Sequence, residues 1–125
     1  MSSSVVFKAV YPIGETDTNA LPVKEIGPVI GYYTQVLGFS LVSKDRTSAV
    51  LERDGARIGL AVNGHDPEQA SCYFPVSDVE ILWRELDAKG IEPGEIQVQE
   101  YDGRRYRVFF AKEPYGVCFC FTQPA

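Results

Sequence analysis

Histidine and cysteine are scarce in this chain of 125 residues, which has one histidine, His65, and three cysteines. An odd number of cysteines at this low density does not make a disulfide framework. Cys118 and Cys120 are two residues apart in an apolar run, so a strand would point both to one face. Buried structural thiols are the main interpretation, and a redox or metal role is the alternative. With a single histidine and no serine or cysteine in a nucleophile motif, the sequence supplies no nucleophile–base pair.

Long apolar runs and an excess of basic residues are also missing. No segment approaches the roughly 18 apolar residues that cross a bilayer, and residues 1–4 lack the basic start and apolar core of a signal peptide. We therefore expect no membrane partner and a cytoplasmic location. The net charge of −5 opposes binding to a nucleic-acid backbone, which requires a basic surface. The same charge is compatible with a cationic small ligand.

The order of secondary-structure signals repeats once along the chain. In the first half, a strand at residues 5–10 and a turn-prone loop at residues 14–20 precede a helix that begins near Glu25 and closes at Gly38. Three strands are predicted to follow, at residues 39–43, 48–52 and 57–62. The second half repeats this order with a strand at residues 71–76, a helix that ends at Gly90, and strands at residues 96–101, 106–110 and 117–121.

The start of the second helix has the spacing of a capping box. Ser77 and Glu80 are three residues apart, so the Ser77 side chain can accept the N–H of Glu80 while Glu80 reaches back. This explanation covers Asp78 and Glu80, which otherwise resemble a pair of catalytic carboxylates.

The repeat predicts an α+β fold of two tandem βαβββ modules that form a cupped, mostly antiparallel sheet. Module one spans about residues 5–63 and module two about residues 70–123, within a single domain of residues 1–125. Each half is too small to cover its own sheet, so the two halves are expected to pack together.

Three motifs resemble the vicinal oxygen chelate superfamily, which contains glyoxalases, bleomycin resistance proteins and extradiol dioxygenases. They are LPVKEI at residues 21–26, GYYTQVLGF at residues 31–39, and the turn Glu113-Pro114-Tyr115-Gly116. Arg107, six residues before that turn, matches an arginine often found there. The resemblance covers nearly the whole chain, with residues 14–20 as an insertion, and the pattern is nearest to the bleomycin-resistance branch.

The resemblance also implies positions for metal ligands. In metal-dependent members, Lewis-basic side chains from the first and last strands of each module converge on one divalent ion. Here these positions fall on Tyr11 or Thr18, near Gly59, and on Ser71 and Cys120, and none of them is His, Glu or Asp. We therefore expect no metal and no cofactor, and we name no catalytic residue.

The concave sheet faces line the pocket in this family, which implies a set of ligand-binding candidates. They are Tyr11, Arg57, Gly59, Ser71, Tyr73, Arg107, Phe109, Cys118 and Cys120. Gly59 would leave space for a ligand, and aromatic side chains suit a flat or amphipathic guest. For Phe109, as for Phe7 and Trp83, the alternative is a place in the core.

The expected function is metal-independent binding that sequesters a small molecule, a drug or a metabolite. The resemblance implies a homodimer whose two chains form the ligand grooves. One alternative is a metal-dependent lyase, isomerase or dioxygenase, which would have to recruit His65, Glu68 or Glu52. Another is an interaction domain that uses the fold for dimerisation alone.

Overall fold

The computed structural model describes residues 4–125, which form nine β-strands and two α-helices. The strands are β1 (Tyr11–Pro12), β2 (Leu21–Pro22), β3 (Ser40–Lys44), β4 (Ser48–Arg53), β5 (Ala56–Ala61), β6 (Ser71–Pro75), β7 (Gln97–Tyr101), β8 (Arg104–Lys112) and β9 (Cys118–Pro124). The helices are α1 (Ile26–Gly31) and α2 (Val79–Ala88), and Pro67–Gln69 forms a short 3₁₀ turn. Within this described part, no helix has the length and apolar character to cross a membrane.

The strands divide between two sheets. The five-stranded sheet has the order β1-β6-β9-β8-β7, and the four-stranded sheet has the order β2-β5-β4-β3. β6 is parallel to β9 and β2 is parallel to β5, whereas every other pair of neighbours is antiparallel. The predicted α+β class and its repeated strand–helix–three-strand order are confirmed. The strands form two sheets rather than the single sheet that the repeat suggested.

The N-terminal segment belongs to the five-stranded sheet. The sequence predicts residues 5–10 as the first strand of module one, but β2 takes that place beside β5. The N-terminal segment instead runs antiparallel to β6, where the Lys8 N–H donates to the Pro75 carbonyl over 2.8 Å and Tyr11 lies opposite Tyr73. The first half of the chain is therefore joined to the five-stranded sheet by backbone hydrogen bonds.

The first predicted helix is a short α-helix that widens into a π-helical turn, Tyr32–Val36. Gly38 ends it with φ of 71°, as its position predicts. Two basic side chains donate to the carbonyl groups at this end: Arg53 Nη1 to Leu37 over 2.7 Å, and Lys89 Nζ to Val36 over 2.9 Å. Because carbonyls at a helix end have no intrahelical donors, these contacts anchor the helix to both halves of the chain.

The second helix begins one residue later than the capping box predicts. Asp78 is the N-cap, and its carboxylate accepts the Ile81 N–H over 3.0 Å. The Ser77 hydroxyl instead accepts the Val6 N–H over 2.8 Å, and Glu80 forms an ion pair with Arg107. The capping-box prediction is wrong in this detail, because the side chains of Ser77 and Glu80 interact with residues far away in the sequence instead of with each other's backbone.

Phe74 lies at the centre of an aromatic core to which both halves of the chain contribute. Its ring centroid is 5.4 Å from that of Phe7, 5.9 Å from Phe39, 5.5 Å from Phe119 and 5.6 Å from Phe121. All five side chains are buried. The two halves therefore share one hydrophobic core, as their small size requires.

Glu113, in the turn motif near the end of the chain, is a buried carboxylate that organises that turn. Its Oε1 accepts the Tyr115 N–H over 2.7 Å and the Val117 N–H over 3.1 Å. The hydroxyl groups of Tyr32 and Tyr33 are buried near it without a regular hydrogen bond. Two motifs far apart in sequence, the tyrosine pair and the turn, thus meet inside the molecule.

The buried position of Glu113 predicts a pH-dependent contribution to stability. Burial raises the pKa of this carboxyl, although the N–H groups that it accepts, that of Val117 first, lower it part of the way. A pKa above the ordinary value means that the folded state binds the proton more strongly than the unfolded state. The resulting stabilisation is complete below the ordinary pKa and is lost as the pH rises through the raised one.

Glu113→Gln removes this titration and keeps an oxygen for the turn N–H groups. From about pH 4 to about pH 8, wild type is therefore expected to lose stability relative to the variant. Urea unfolding of both proteins across this range measures their free energies of unfolding. A wild type that gains stability relative to the variant as the pH rises would contradict the prediction. Glu113→Ala is the control at any pH, with an expected loss of about 2–3 kcal/mol because two buried N–H groups lose their acceptor.

Candidate functional site

Alternating side chains give the five-stranded sheet two distinct faces. One face packs against α2 and the core, where Phe74, Phe119 and Phe121 are fully buried. We call the opposite side the open face. By strand register it carries Tyr11, Ser71, Tyr73, Gln97, Gln99, Tyr101, Arg104, Tyr106, Val108, Phe110, Lys112, Cys118, Cys120 and Thr122.

A row of aromatic side chains crosses the middle of the open face. Tyr11, Tyr73, Cys120 and Phe110 lie directly opposite one another on four successive strands. The rings of Tyr11 and Tyr73 have centroids 5.2 Å apart. Tyr11 is 47% exposed and Phe110 40% exposed, so this aromatic surface is accessible to a ligand. Exposed aromatic groups of this kind mark binding surfaces more often than isolated apolar residues do.

The Tyr73 hydroxyl and the Cys120 thiol on the open face are uncharged hydrogen-bonding groups near neutral pH. Burial raises the pKa of the Tyr73 hydroxyl, and the neighbouring phenols of Tyr11, Tyr101 and Tyr106 raise it further. Burial also raises the pKa of the Cys120 thiol to about 11. Since a protonated thiol is a poor nucleophile, this face is suited to contact and hydrogen bonding rather than to covalent chemistry.

The structure brings five of the predicted site residues together on the open face. They are Tyr11, Ser71, Tyr73, Cys118 and Cys120. Ser71 and Cys118 lie directly opposite each other, one row away from the aromatic side chains, and both are half-buried.

Arg107 and Phe109 lie on the opposite side of the same sheet, which corrects their predicted place in the lining. Phe109 is fully buried in the core, with its ring centroid 5.0 Å from that of Phe121. Arg107 forms an ion pair with Glu80 on α2. The reason is the two-residue period of β8: Phe110 faces the open side, so Phe109 and Arg107 face the helix. For Phe109, the core alternative is the one that the structure supports.

Arg57 and Gly59 belong to the other sheet and lie apart from this group. The Arg57 side chain is exposed and is 3.7 Å from the Glu52 carboxylate. At Gly59, an added Cβ would be 2.1 Å from the carbonyl oxygen of Asn19, and the Gly59 N–H donates to the Thr18 carbonyl over 2.9 Å. The space that we expected a ligand to use is therefore filled by the chain's own loop, residues 14–20.

The residues at the implied metal positions do not fit a divalent ion. They offer the phenol of Tyr11 or the hydroxyl of Thr18, the hydroxyl of Ser71, and the protonated thiol of Cys120. Gly59 has no donor, and its surroundings are filled by backbone. Across residues 4–125, no three or more His, Cys, Asp or Glu side chains are arranged to hold a metal.

Several open-face residues were not among the predicted site residues, including Tyr101, Tyr106, Phe110 and Lys112. The alternation within residues 104–112 could have revealed the last three, once Phe109 was assigned to the core. A groove of about 790 Å³ lies elsewhere, beside the end of the first helix. Arg53 and Lys89 line it, and both side chains already donate hydrogen bonds to carbonyl groups at the helix end. We therefore place the candidate site on the open face.

Comparison with known proteins identifies the family. Residues 16–121 match the family described as the Glyoxalase/Bleomycin resistance protein/Dioxygenase superfamily, and the chain belongs to it. A search of curated proteins found no match.

Solved structures with the same fold include proteins that bind antibiotics. The bleomycin resistance determinant encoded on transposon Tn5 has a TM-score of 0.74 at 20% identity, covering 89% of this chain and 98% of that one. The bleomycin-binding protein from bleomycin-producing Streptomyces verticillus, complexed with copper(II)-bleomycin, has a TM-score of 0.64 at 20% identity, covering 90% and 97%. TnmS3, an antibiotic binding protein from Streptomyces sp. CB03234, has a TM-score of 0.72 at 16% identity, covering 90% and 98%. At these identities the likeness establishes the fold.

Proposed function

We propose that this protein binds a small molecule and sequesters it without chemical conversion. The observation that carries the proposal is the exposed aromatic row, in which Tyr11 lies against Tyr73 with Phe110 two strands away from Tyr73. Aromatic side chains provide a large contact area while few rotatable bonds become fixed. The antibiotic-binding neighbours of the same fold support the proposal.

The binding proposal predicts a ligand whose affinity depends on the aromatic row. A thermal-shift screen of flat aromatic compounds is expected to find molecules that raise the melting temperature. Tyr11→Ala is expected to weaken their binding about tenfold, which corresponds to about 1.4 kcal/mol. Ile81→Ala, an exposed apolar residue on α2, is the matched control and keeps wild-type affinity. Equal affinities for the two variants would contradict a role for the open face.

The donor set favours binding over the metal-dependent lyase, isomerase or dioxygenase alternative. Neither Ser71 nor Gly59 supplies a strong ligand, and His65 lies exposed in a connecting segment. Protein purified without chelator and then titrated with Zn²⁺, Ni²⁺, Fe²⁺ and Mn²⁺ is expected to hold no stoichiometric ion. A tightly held ion would overturn the metal-independent proposal, and His65, Glu68 and Glu52 would then be replaced in turn.

We also propose that the protein acts as a homodimer in which a second chain closes the open face into a groove. In support, one edge strand of each sheet, β3 in one and β7 in the other, is exposed along its full length. Their exposed apolar residues include Val42 and Val98, which are 45% and 54% exposed. Light scattering coupled to gel filtration measures the molecular mass, and a monomer at micromolar concentrations would contradict this proposal.

The proposed compartment is the cytoplasm. Cys72, Cys118 and Cys120 are free thiols, and a reducing compartment preserves thiols. Fractionation of cells that produce the full chain tests this location.

A further inference from the structure

We infer that the ligand of the open face is an aromatic anion, such as an aromatic carboxylate. The inference rests on the proposed function and adds the chemical class of the ligand. It comes from the distribution of charge: the chain has 17 acidic and 12 basic residues, yet within the described residues none of the strand positions on the open face is acidic. The negative charge of the protein therefore lies elsewhere.

The charged side chains on the open face are both basic. Arg104 and Lys112 lie at opposite ends of β8, so they are roughly 27 Å apart along the strand. Glu100 shares the helix side of the sheet with Arg105, which lies opposite it. Glu113 is buried, and one of its oxygens is bound to turn N–H groups.

The other acidic residues near these strands belong to a loop, a turn or the four-stranded sheet. Glu15 and Asp17 belong to the loop of residues 14–20, whose Thr16 hydroxyl accepts the Ser71 N–H, and the Asp17 carboxylate accepts the Asn19 N–H. Asp102 lies in the turn next to Tyr101. On the corresponding face of the other sheet, the carboxylate of Glu52 faces the guanidinium of Arg57 at 3.7 Å. None of these occupies a strand position on the open face, where the charged side chains are basic.

Of the two basic strand positions on the open face, Lys112 lies nearer than Arg104 to the aromatic row. It belongs to a second row, Ser71–Cys118–Lys112, whose members lie directly opposite one another on β6, β9 and β8. This second row is two residues along each strand from the aromatic row, a separation of roughly 7 Å. The Lys112 ammonium is near enough to lower the pKa of the Cys118 thiol, against the effect of burial. A ring on the aromatic row can thus place an attached carboxylate beside the Lys112 ammonium and the Ser71 hydroxyl.

The competing possibility is a cationic aromatic ligand attracted to the tyrosine rings. Cation–π contacts at exposed sites are weak, although the net charge of the whole protein also favours a cation. However, binding sites for organic cations need a nearby carboxylate or an enclosed cage to offset repulsion, and the aromatic row offers neither next to Lys112. A charge-assisted contact to a carboxylate is the stronger interaction.

Three naphthalene probes of similar size test the inference on the full chain: 2-naphthoate, 2-naphthylmethanol and (2-naphthylmethyl)trimethylammonium. Titration calorimetry or fluorescence is expected to show naphthoate binding about tenfold more tightly than the ammonium compound. Lys112→Gln is expected to weaken naphthoate binding about five- to tenfold and to leave naphthylmethanol unchanged. Arg84→Gln, which changes the net charge equally on the exposed side of α2, is the matched control and keeps wild-type affinity for naphthoate.

The outcomes separate this inference from the proposed function. Equal or tighter binding of the ammonium compound, or no effect of Lys112→Gln on naphthoate, overturns the anionic ligand while the binding proposal stands. Equal weakening by Lys112→Gln and Arg84→Gln also overturns it, because the effect is then one of net charge. Failure of all three probes to bind at millimolar concentration overturns the proposed binding face together with this inference.

Discussion

Arg53→Ala is expected to lower the free energy of unfolding by about 3–5 kcal/mol, because charge-assisted hydrogen bonds contribute roughly 1.5–3 kcal/mol each. The Arg53 side chain is 11% exposed and donates to the carbonyls of Leu37 over 2.7 Å and Val5 over 2.9 Å. Its guanidinium carbon also lies 4.2 Å from the centroid of the Phe7 ring. One side chain therefore ties the end of the first helix to the N-terminal segment.

Urea unfolding followed by the fluorescence of Trp83, the single tryptophan, measures this loss. Arg57→Ala is the matched control, since its side chain is 61% exposed and its Glu52 partner lies 3.7 Å away. Exposed ion pairs of this kind contribute about 1 kcal/mol or less. The free energy of unfolding of Arg53→Lys is expected to lie between those of Arg53→Ala and Arg57→Ala. The reason is that a single ammonium cannot reach both carbonyls as the guanidinium does. If Arg53→Ala lowers the free energy of unfolding by no more than Arg57→Ala does, the bridging role of Arg53 is disproved.

Gly59→Ala is expected to destabilise the protein by about 2–3 kcal/mol, the upper part of the roughly 1–3 kcal/mol found when side chains are forced into filled space. The added methyl group would lie 2.1 Å from the Asn19 carbonyl oxygen and 2.7 Å from its carbon. These are backbone atoms, so a side-chain rotation cannot relieve the contact. Either β5 shifts or the loop of residues 14–20 leaves its place, with loss of the Thr18–Gly59 hydrogen bond.

Limited proteolysis together with thermal unfolding distinguishes a shifted strand from a detached loop. Gly31→Ala provides the comparison, because Gly31 ends α1 with helical backbone angles, φ of −58° and ψ of −40°, and the added methyl group meets nothing within 4 Å outside its own helix and chain neighbours. Alanine is the better helix former, so this variant is expected to be as stable as wild type or more stable by up to about 1 kcal/mol. Wild-type stability and an uncut loop in Gly59→Ala would refute the close backbone packing.

Local signals predicted most of the regular structure. The strand predicted at residues 71–76 is observed as β6, and the one at residues 96–101 as β7. The hairpin turns at Asp54 and Asp102 adopt positive φ values of 50° and 53°, as Asp-Gly sequences favour. These predictions succeeded because the alternation of apolar residues, the turn residues and the glycines that end helices all determine structure through neighbours a few residues away.

The candidate site was predicted less completely, because residue pattern alone does not say which side of a strand faces the core. Tyr73 and Cys120 share the open face as expected, but Arg107 and Phe109 lie behind it on the helix side. A single known core contact, that of Phe109 with Phe121, fixes the side of every other residue on β8. No such contact is visible in one sequence.

The sequence by itself determined the repeated order of elements, the family, and the side-chain chemistry available at the implied metal positions. Each of these depends on residue identity and on neighbours along the chain. Only the tertiary structure decided that the N-terminal segment joins β6 and that the loop of residues 14–20 fills the space at Gly59. It also decided that Asp78, rather than Ser77, caps α2. These outcomes depend on contacts between distant segments, whose free energies are settled by packing and hydrogen bonding in the whole fold.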